Sequence, residues 1–86
     1  MASERNGKMD EITTRYMIFR RIPSTGKTSL WNVLNKSDGG ALGLIQWYGA
    51  WRQYVFEAVA GCVFNGGCLD TISGILKRLN QEQRET

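Results

Sequence analysis

Trp47-Tyr48-Gly49-Ala50-Trp51-Arg52-Gln53-Tyr54 is the stretch that decides how this chain folds. Gly-X between two alternating apolar runs signals a two-residue type II′ hairpin, because glycine accepts the positive φ of that turn's first position without strain. The segment therefore predicts two antiparallel strands meeting at Gly49-Ala50. Before the turn, Ala41 to Tyr48 alternates Gly43, Ile45 and Trp47 against Leu42, Leu44, Gln46 and Tyr48. After it, Trp51 to about Ala58 sets Arg52, Tyr54 and Phe56 against Trp51, Gln53, Val55 and Glu57. Alternation with a period of two marks strands that turn one face to a core.

Towards the N-terminus the same pattern repeats. Lys36-Ser37-Asp38-Gly39-Gly40 is a turn, with Asp-Gly and Gly-Gly supplying left-handed positions. Thr28 to about Asn35 alternates Trp31 and Val33 against Leu30, Asn32 and Leu34. Pro23-Ser24-Thr25-Gly26 is a turn by composition. Arg15 to Ile22, rich in aromatic and β-branched residues, places Met17 and Phe19 on one face and Tyr16, Ile18 and Arg20 on the other. Towards the C-terminus the period changes to 3.6: Leu69, Ile72, Ile75, Leu76 and Leu79 share a stripe, with Cys68 beside it. Asn65 is the expected N-cap and Asp70 the expected first-turn acid of a helix from about Gly67 to Gln81, with Lys77 and Arg78 towards its far end.

The expected fold is α+β: a four-stranded antiparallel meander followed by one C-terminal amphipathic helix on one face, in the order β-β-β-β-α. Short connections require antiparallel neighbours, since parallel pairing needs a long crossover. Residues 1–11 read as a disordered polar leader, 12–82 as a single domain and 83–86 as a frayed tail. A chain of 86 residues buries only about 60–65% of its unfolded surface, so self-association is expected. One helix covers one sheet face, and the other is expected to carry many aromatics and large aliphatics that a second subunit or a ligand should cover. No apolar run approaches the roughly 18 residues of a membrane span, and the polar N-terminus is no signal peptide. A cytoplasmic protein is expected.

Catalytic chemistry finds little support. The chain has no histidine and two cysteines, Cys62 and Cys68, which together do not make a zinc site. Both read as buried free thiols, and a nucleophilic thiol would want a base that is missing. Gly26-Lys27-Thr28 resembles the end of a phosphate-binding loop, but Arg21 stands where its first glycine is needed and a strand follows instead of a helix. The glycines from Gly61 to Gly67 fit no dinucleotide fingerprint. Asp38, Glu57 and Asp70 lie on separate elements with no reason to converge on one substrate. No enzyme, metal or cofactor is expected.

The positive signal is basic residues interleaved with rings. Net charge is +3 overall, but between Arg15 and Phe56 six bases (Arg15, Arg20, Arg21, Lys27, Lys36 and Arg52) face one acid, Asp38, for a local +5. Clustered cations attract phosphates and release their counterions, and rings beside them stack bases. The plainer alternative is that the cations are a solvated face and that Trp31, Trp47, Tyr54 and Phe56 fill the core under the helix. For any single ring the core is the commoner fate, but nine aromatics should not all fit beneath one short helix.

Leu42 to Leu79, with the Trp47–Tyr54 run, Val63-Phe64-Asn65 and Cys68-Leu69-Asp70-Thr71-Ile72, resembles small uncharacterised proteins encoded by phages and prophages. That resemblance implies an accessory protein of a mobile element and brings no activity with it. The element order is similar to the single-strand-binding domains of the positive-cofactor-four coactivators and the Whirly and Pur-type proteins. Those pair β-β-β-β-α units and bind single strands on the sheet surface, so the likeness implies a homodimer, with no residue role carried over. The expected function is binding of single-stranded DNA or RNA as a homodimer. Arg20, Arg21 and Arg52 would meet phosphates, and Trp47, Tyr48, Trp51 and Tyr54 form the aromatic surface. The alternative is a phage accessory protein that binds or inhibits a host protein through an aromatic sheet face.

Overall fold

A computed structural model describes residues 10–23 and 26–84. The elements are β1 (Glu11–Thr13), β2 (Met17–Ile22), β3 (Leu30–Asn35), β4 (Ala41–Tyr48), β5 (Gln53–Ala58) and α1 (Gly66–Arg84). The strands form one antiparallel sheet in chain order. The architecture is α+β, with a five-stranded meander in place of the expected four. The added strand is Glu11–Thr13, too short to show alternation. It is pinned by partners: Ile12 faces Phe19, and the Arg21 N–H donates to the Asp10 carbonyl at 2.7 Å. Residues 1–9 of the expected leader and 85–86 of the expected tail lie outside the described residues.

Alternation sorts the side chains as the sequence indicates, except at Leu42: the register shift between Val33 and Leu34 leaves it the extra residue, and it packs on the helix side instead of the open face. Met17, Phe19, Trp31, Val33, Ile45 and Tyr54 from the sheet meet Ile72, Ile75 and Leu79 from α1 in one buried cluster. Trp47, Phe56, Phe64, Leu42, Leu76, Cys68 and Ile12 pack around it, half-buried. Six of the nine aromatics thus lie on the helix side, more than a short helix was expected to cover. Two structural features make room for them. The helix is 19 residues long, and Phe64 in the approach to it crosses Phe56 edge to face at 5.5 Å. At Gly43 a side chain is forbidden: a Cβ there would meet the Phe56 ring at 2.5 Å and the Glu57 carbonyl at 2.6 Å. The glycine lets that ring approach the strand closely.

The helix begins where its cap indicates, with the Asn65 side chain accepting from the Cys68 N–H at 2.8 Å. Three details differ from expectation. No acid lies in the first turn, because starting at Gly66 puts Asp70 one turn further in. The helix continues past Gln81 to Arg84, so Lys77 and Arg78 are mid-helix and Arg84 is the basic residue of the last turn. An Arg78–Glu82 pair at 3.4 Å, four residues apart, supports that polar end. Leu69 is half exposed, because at 100° per residue it sits about 80° from the centre of the stripe.

The opposite sheet face has no element over it among the described residues. It was expected to mix aromatics with large aliphatics. It carries the aliphatics Ile18, Ile22, Leu30, Leu34, Leu44 and Val55, each half-buried by its neighbours, and a single strand ring, Tyr48. Arg20 and Asn32 are neighbours across its middle, and Leu44 separates them from Glu57. The outer edge at β5 is partly closed by the helix, whose Asn80 side chain accepts from the Tyr54 N–H at 2.7 Å. Both cysteines are free and half-buried. Among the described residues, no helix is long and apolar enough to cross a membrane.

Candidate nucleic-acid interface

The β4–β5 connection is a four-residue turn, Gly49 to Arg52, and not the expected two-residue one: Tyr48 pairs with Gln53 and Trp47 with Tyr54. The Trp51 N–H donates to the Tyr48 carbonyl and the Arg52 N–H to the Gly49 carbonyl, both at 3.2 Å. The positive φ falls on Arg52 (55°), not on Gly49. The turn therefore curls in right-handed geometry and ends in one left-handed residue, the usual way to close a longer hairpin loop. The register moves by two residues from the expected one, which keeps Tyr54 and Phe56 on the face of Trp47 and Ile45.

At the tip, Tyr48 and Trp51 touch edge to face, with ring centroids 5.0 Å apart and planes at 84°. Tyr48 is 43% and Trp51 66% exposed, and Arg52 beside them is exposed as well. These three are the sequence-selected residues that the structure brings together in solvent. Trp51 and Arg52 stand in the turn and not on the strand where alternation placed them.

The remaining selected residues lie elsewhere. Tyr54 is 5% exposed and its hydroxyl is a structural hub. It accepts from the Ser29 N–H at 2.9 Å and donates towards Gln83 Oε1 at 3.5 Å. Ser29 in turn accepts from the Trp31 ring N–H at 2.9 Å, so one phenol ties β5, the β2–β3 loop and the helix end. Trp47 meets Tyr54 edge to face at 5.4 Å on the helix side. Arg20 stands on the open face in an ion pair with Glu11 at 3.1 Å. Arg21 points to the helix side, 3.8 Å from Asp10. The local charge is therefore smaller than the window from Arg15 suggests. With Asp10 and Glu11 included, six bases face three acids, a net of +3.

At the opposite end of the sheet a third ring is exposed. The Arg15 guanidinium lies 5.3 Å from the centroid of Tyr16, which is 53% exposed. The sequence counted Arg15 and Lys36 among the cations but did not single them out. Their place at the same end of the sheet depends on the Met17–Asn35 register, which alternation alone does not specify. Among the described residues there is no cluster of three or more His, Cys, Asp or Glu able to hold a metal.

Over 78 residues the chain is 33% identical to the uncharacterized 9.3 kDa protein of Acholeplasma phage L2, a match covering 90% of this chain and 100% of that protein. No family model and no solved structure matches the chain. A relationship of that extent, end to end along the relative, makes this chain a member of the family of that phage protein.

Proposed function

We propose that this protein is a small phage-type module that binds single-stranded DNA or RNA at the β4–β5 hairpin tip and works as a homodimer. The observation that carries the reading is Arg52. A bulky, branched-chain-free cation occupies a left-handed position where glycine would sit without strain. Strain of that kind, about 1–3 kcal/mol, concentrates where a side chain is kept for a ligand. Next to it stand two exposed rings, and base–ring stacking contributes about 1–3 kcal/mol per base. The cation meets the backbone and the rings meet the bases.

Homodimerisation and nucleic-acid binding use different surfaces in this reading. A second copy covers the aliphatic open face, while the tip stays free at its end. The likeness in element order to positive-cofactor-four, Whirly and Pur-type domains supports pairing of this kind by analogy. The half-buried aliphatics of the open face also favour a second reading, in which a host protein docks there.

Charge reversal separates the readings. Arg52→Glu should weaken binding to a single-stranded oligonucleotide at least about tenfold, whereas Lys77→Glu, exposed on the helix, should change it little. Equal losses from both substitutions, or no binding by the unaltered protein, would favour a host-protein partner.

A further inference from the structure

We infer that the cleft between Arg15, Lys36 and Phe64 is a binding site for a ring-bearing phosphate, that is, a nucleotide, free or at the end of a strand. The cleft has a volume of about 600 Å³, within the range of small-ligand sites. It lies at the end of the sheet away from the hairpin tip, where β2 begins and β3 ends. Its lining divides by chemistry. Met17, Leu42 and Phe64 give an apolar floor, and Tyr16, Arg15 and Lys36 stand at the rim. No Asp or Glu lines it, and among the described residues neither Arg15 nor Lys36 is paired with an acid.

Backbone pairing sets the residues that carry the two cations beside each other at the cleft. The Lys36 N–H donates to the Tyr16 carbonyl at 2.9 Å. The turn that carries Arg15 is closed twice, with the Thr14 N–H donating to the Met17 carbonyl at 2.8 Å and the Met17 N–H donating to Thr14 Oγ1 at 3.2 Å. Phe64 is fixed from behind by Phe56. Rings and cations on fixed backbone, above an apolar floor, suit a ligand with a flat face and an anionic group at one end. A base fills the space beside Tyr16 and Phe64, and its phosphate takes charge-assisted bonds from Arg15 and Lys36. The site stands apart from the hairpin tip, so it does not need the single-strand reading to hold.

Adenosine 5′-monophosphate, titrated at low salt and followed by NMR shifts, tests the inference. Saturable shifts at Tyr16, Lys36 and Phe64 are expected. Adenosine without phosphate and the Arg15→Gln/Lys36→Gln variant should each bind at least about tenfold more weakly. Trp51→Ala/Arg52→Ala should leave the saturable shifts at Tyr16, Lys36 and Phe64 unchanged. No saturation by about 10 mM nucleotide, or equal binding by the Arg15/Lys36 variant, overturns the inference. So does loss of the cleft shifts through the hairpin substitutions. A 5′-phosphorylated oligonucleotide that outcompetes its 5′-hydroxyl twin identifies a strand end as the ligand, and nucleotide binding without that preference identifies a free nucleotide. Oligonucleotide binding at the tip without nucleotide binding in the cleft refutes the cleft alone; the converse refutes the single-strand reading alone.

Discussion

Replacing Arg52 by glycine should make the protein more stable and a poorer binder. At φ 55° the Arg52 backbone is in the left-handed region, which costs a residue with a Cβ about 1–2 kcal/mol. Glycine removes that cost but loses more backbone freedom on folding, about 0.5–1 kcal/mol relative to alanine. The balance is a gain of about 0.5–1 kcal/mol, since the bond from the residue-52 N–H to Gly49 is a backbone bond and survives. For a domain of this size that corresponds to a rise in Tm of about 2–8 °C. Arg52→Ala is the informative control, because it removes the guanidinium and keeps the strain. Thermal unfolding followed by circular dichroism should therefore rank glycine above both alanine and arginine. Oligonucleotide binding should fall for glycine and alanine alike. Equal Tm values for glycine and alanine would refute the strain argument, and full binding by the glycine variant would refute the claim that the side chain is kept for a ligand.

Other substitutions test the packing. Gly43→Ala should lower the urea midpoint by the equivalent of about 1–3 kcal/mol with an unchanged m value, because the new methyl meets the Phe56 ring and a backbone carbonyl that cannot step aside. Tyr54→Phe deletes the hydroxyl that receives the Ser29 N–H and should cost about 1–3 kcal/mol by chemical denaturation, with oligonucleotide binding retained by the protein that remains folded. Sedimentation at micromolar concentration should show a species above 9.7 kDa, and Leu44→Glu, placed on the open face, should return it to monomer. A monomer before substitution would leave that face for another partner.

Much of the fold was legible because side-chain alternation reports which way a residue faces. Met17 and Phe19, Trp31 and Val33, and Gly43, Ile45 and Trp47 all turn to the core as the period of two requires. The same property hides register. A slip of two residues between β4 and β5 leaves all faces unchanged, so the sequence pattern cannot distinguish a turn at Gly49-Ala50 from one spanning Gly49 to Arg52. Tertiary contacts favour the longer turn: it sets Trp47 against Tyr54 and carries the Tyr54 hydroxyl to Ser29. The strand Glu11–Thr13 escaped notice for another reason. Three residues show no period, and this strand is held by neighbours remote in sequence.

The candidate site was legible in composition but not in position. Rings and cations are abundant in the chain, yet which rings stay in solvent depends on how much sheet the helix covers. The helix runs on to Arg84, beyond Leu79, the last residue of its apolar stripe, where periodicity gives no signal. Sorting the rings by exposure leaves Tyr48 and Trp51 at one end and Tyr16 at the other, with the cleft beside it. Arg20 and Arg21 illustrate a further limit, since the acids that pair with them come from the segment just before the basic stretch.

The most direct test of single-strand binding is a titration with a short single-stranded oligonucleotide at about 50 mM salt, followed by tryptophan fluorescence and repeated as salt is raised. Trp51 is the most exposed large hydrophobic residue of the tip, so its stacking against a base should quench the signal. The expected result is saturable quenching whose affinity falls with a log–log slope near −0.7 for each phosphate contacted. Unchanged fluorescence at low salt, or binding indifferent to salt, would contradict the account.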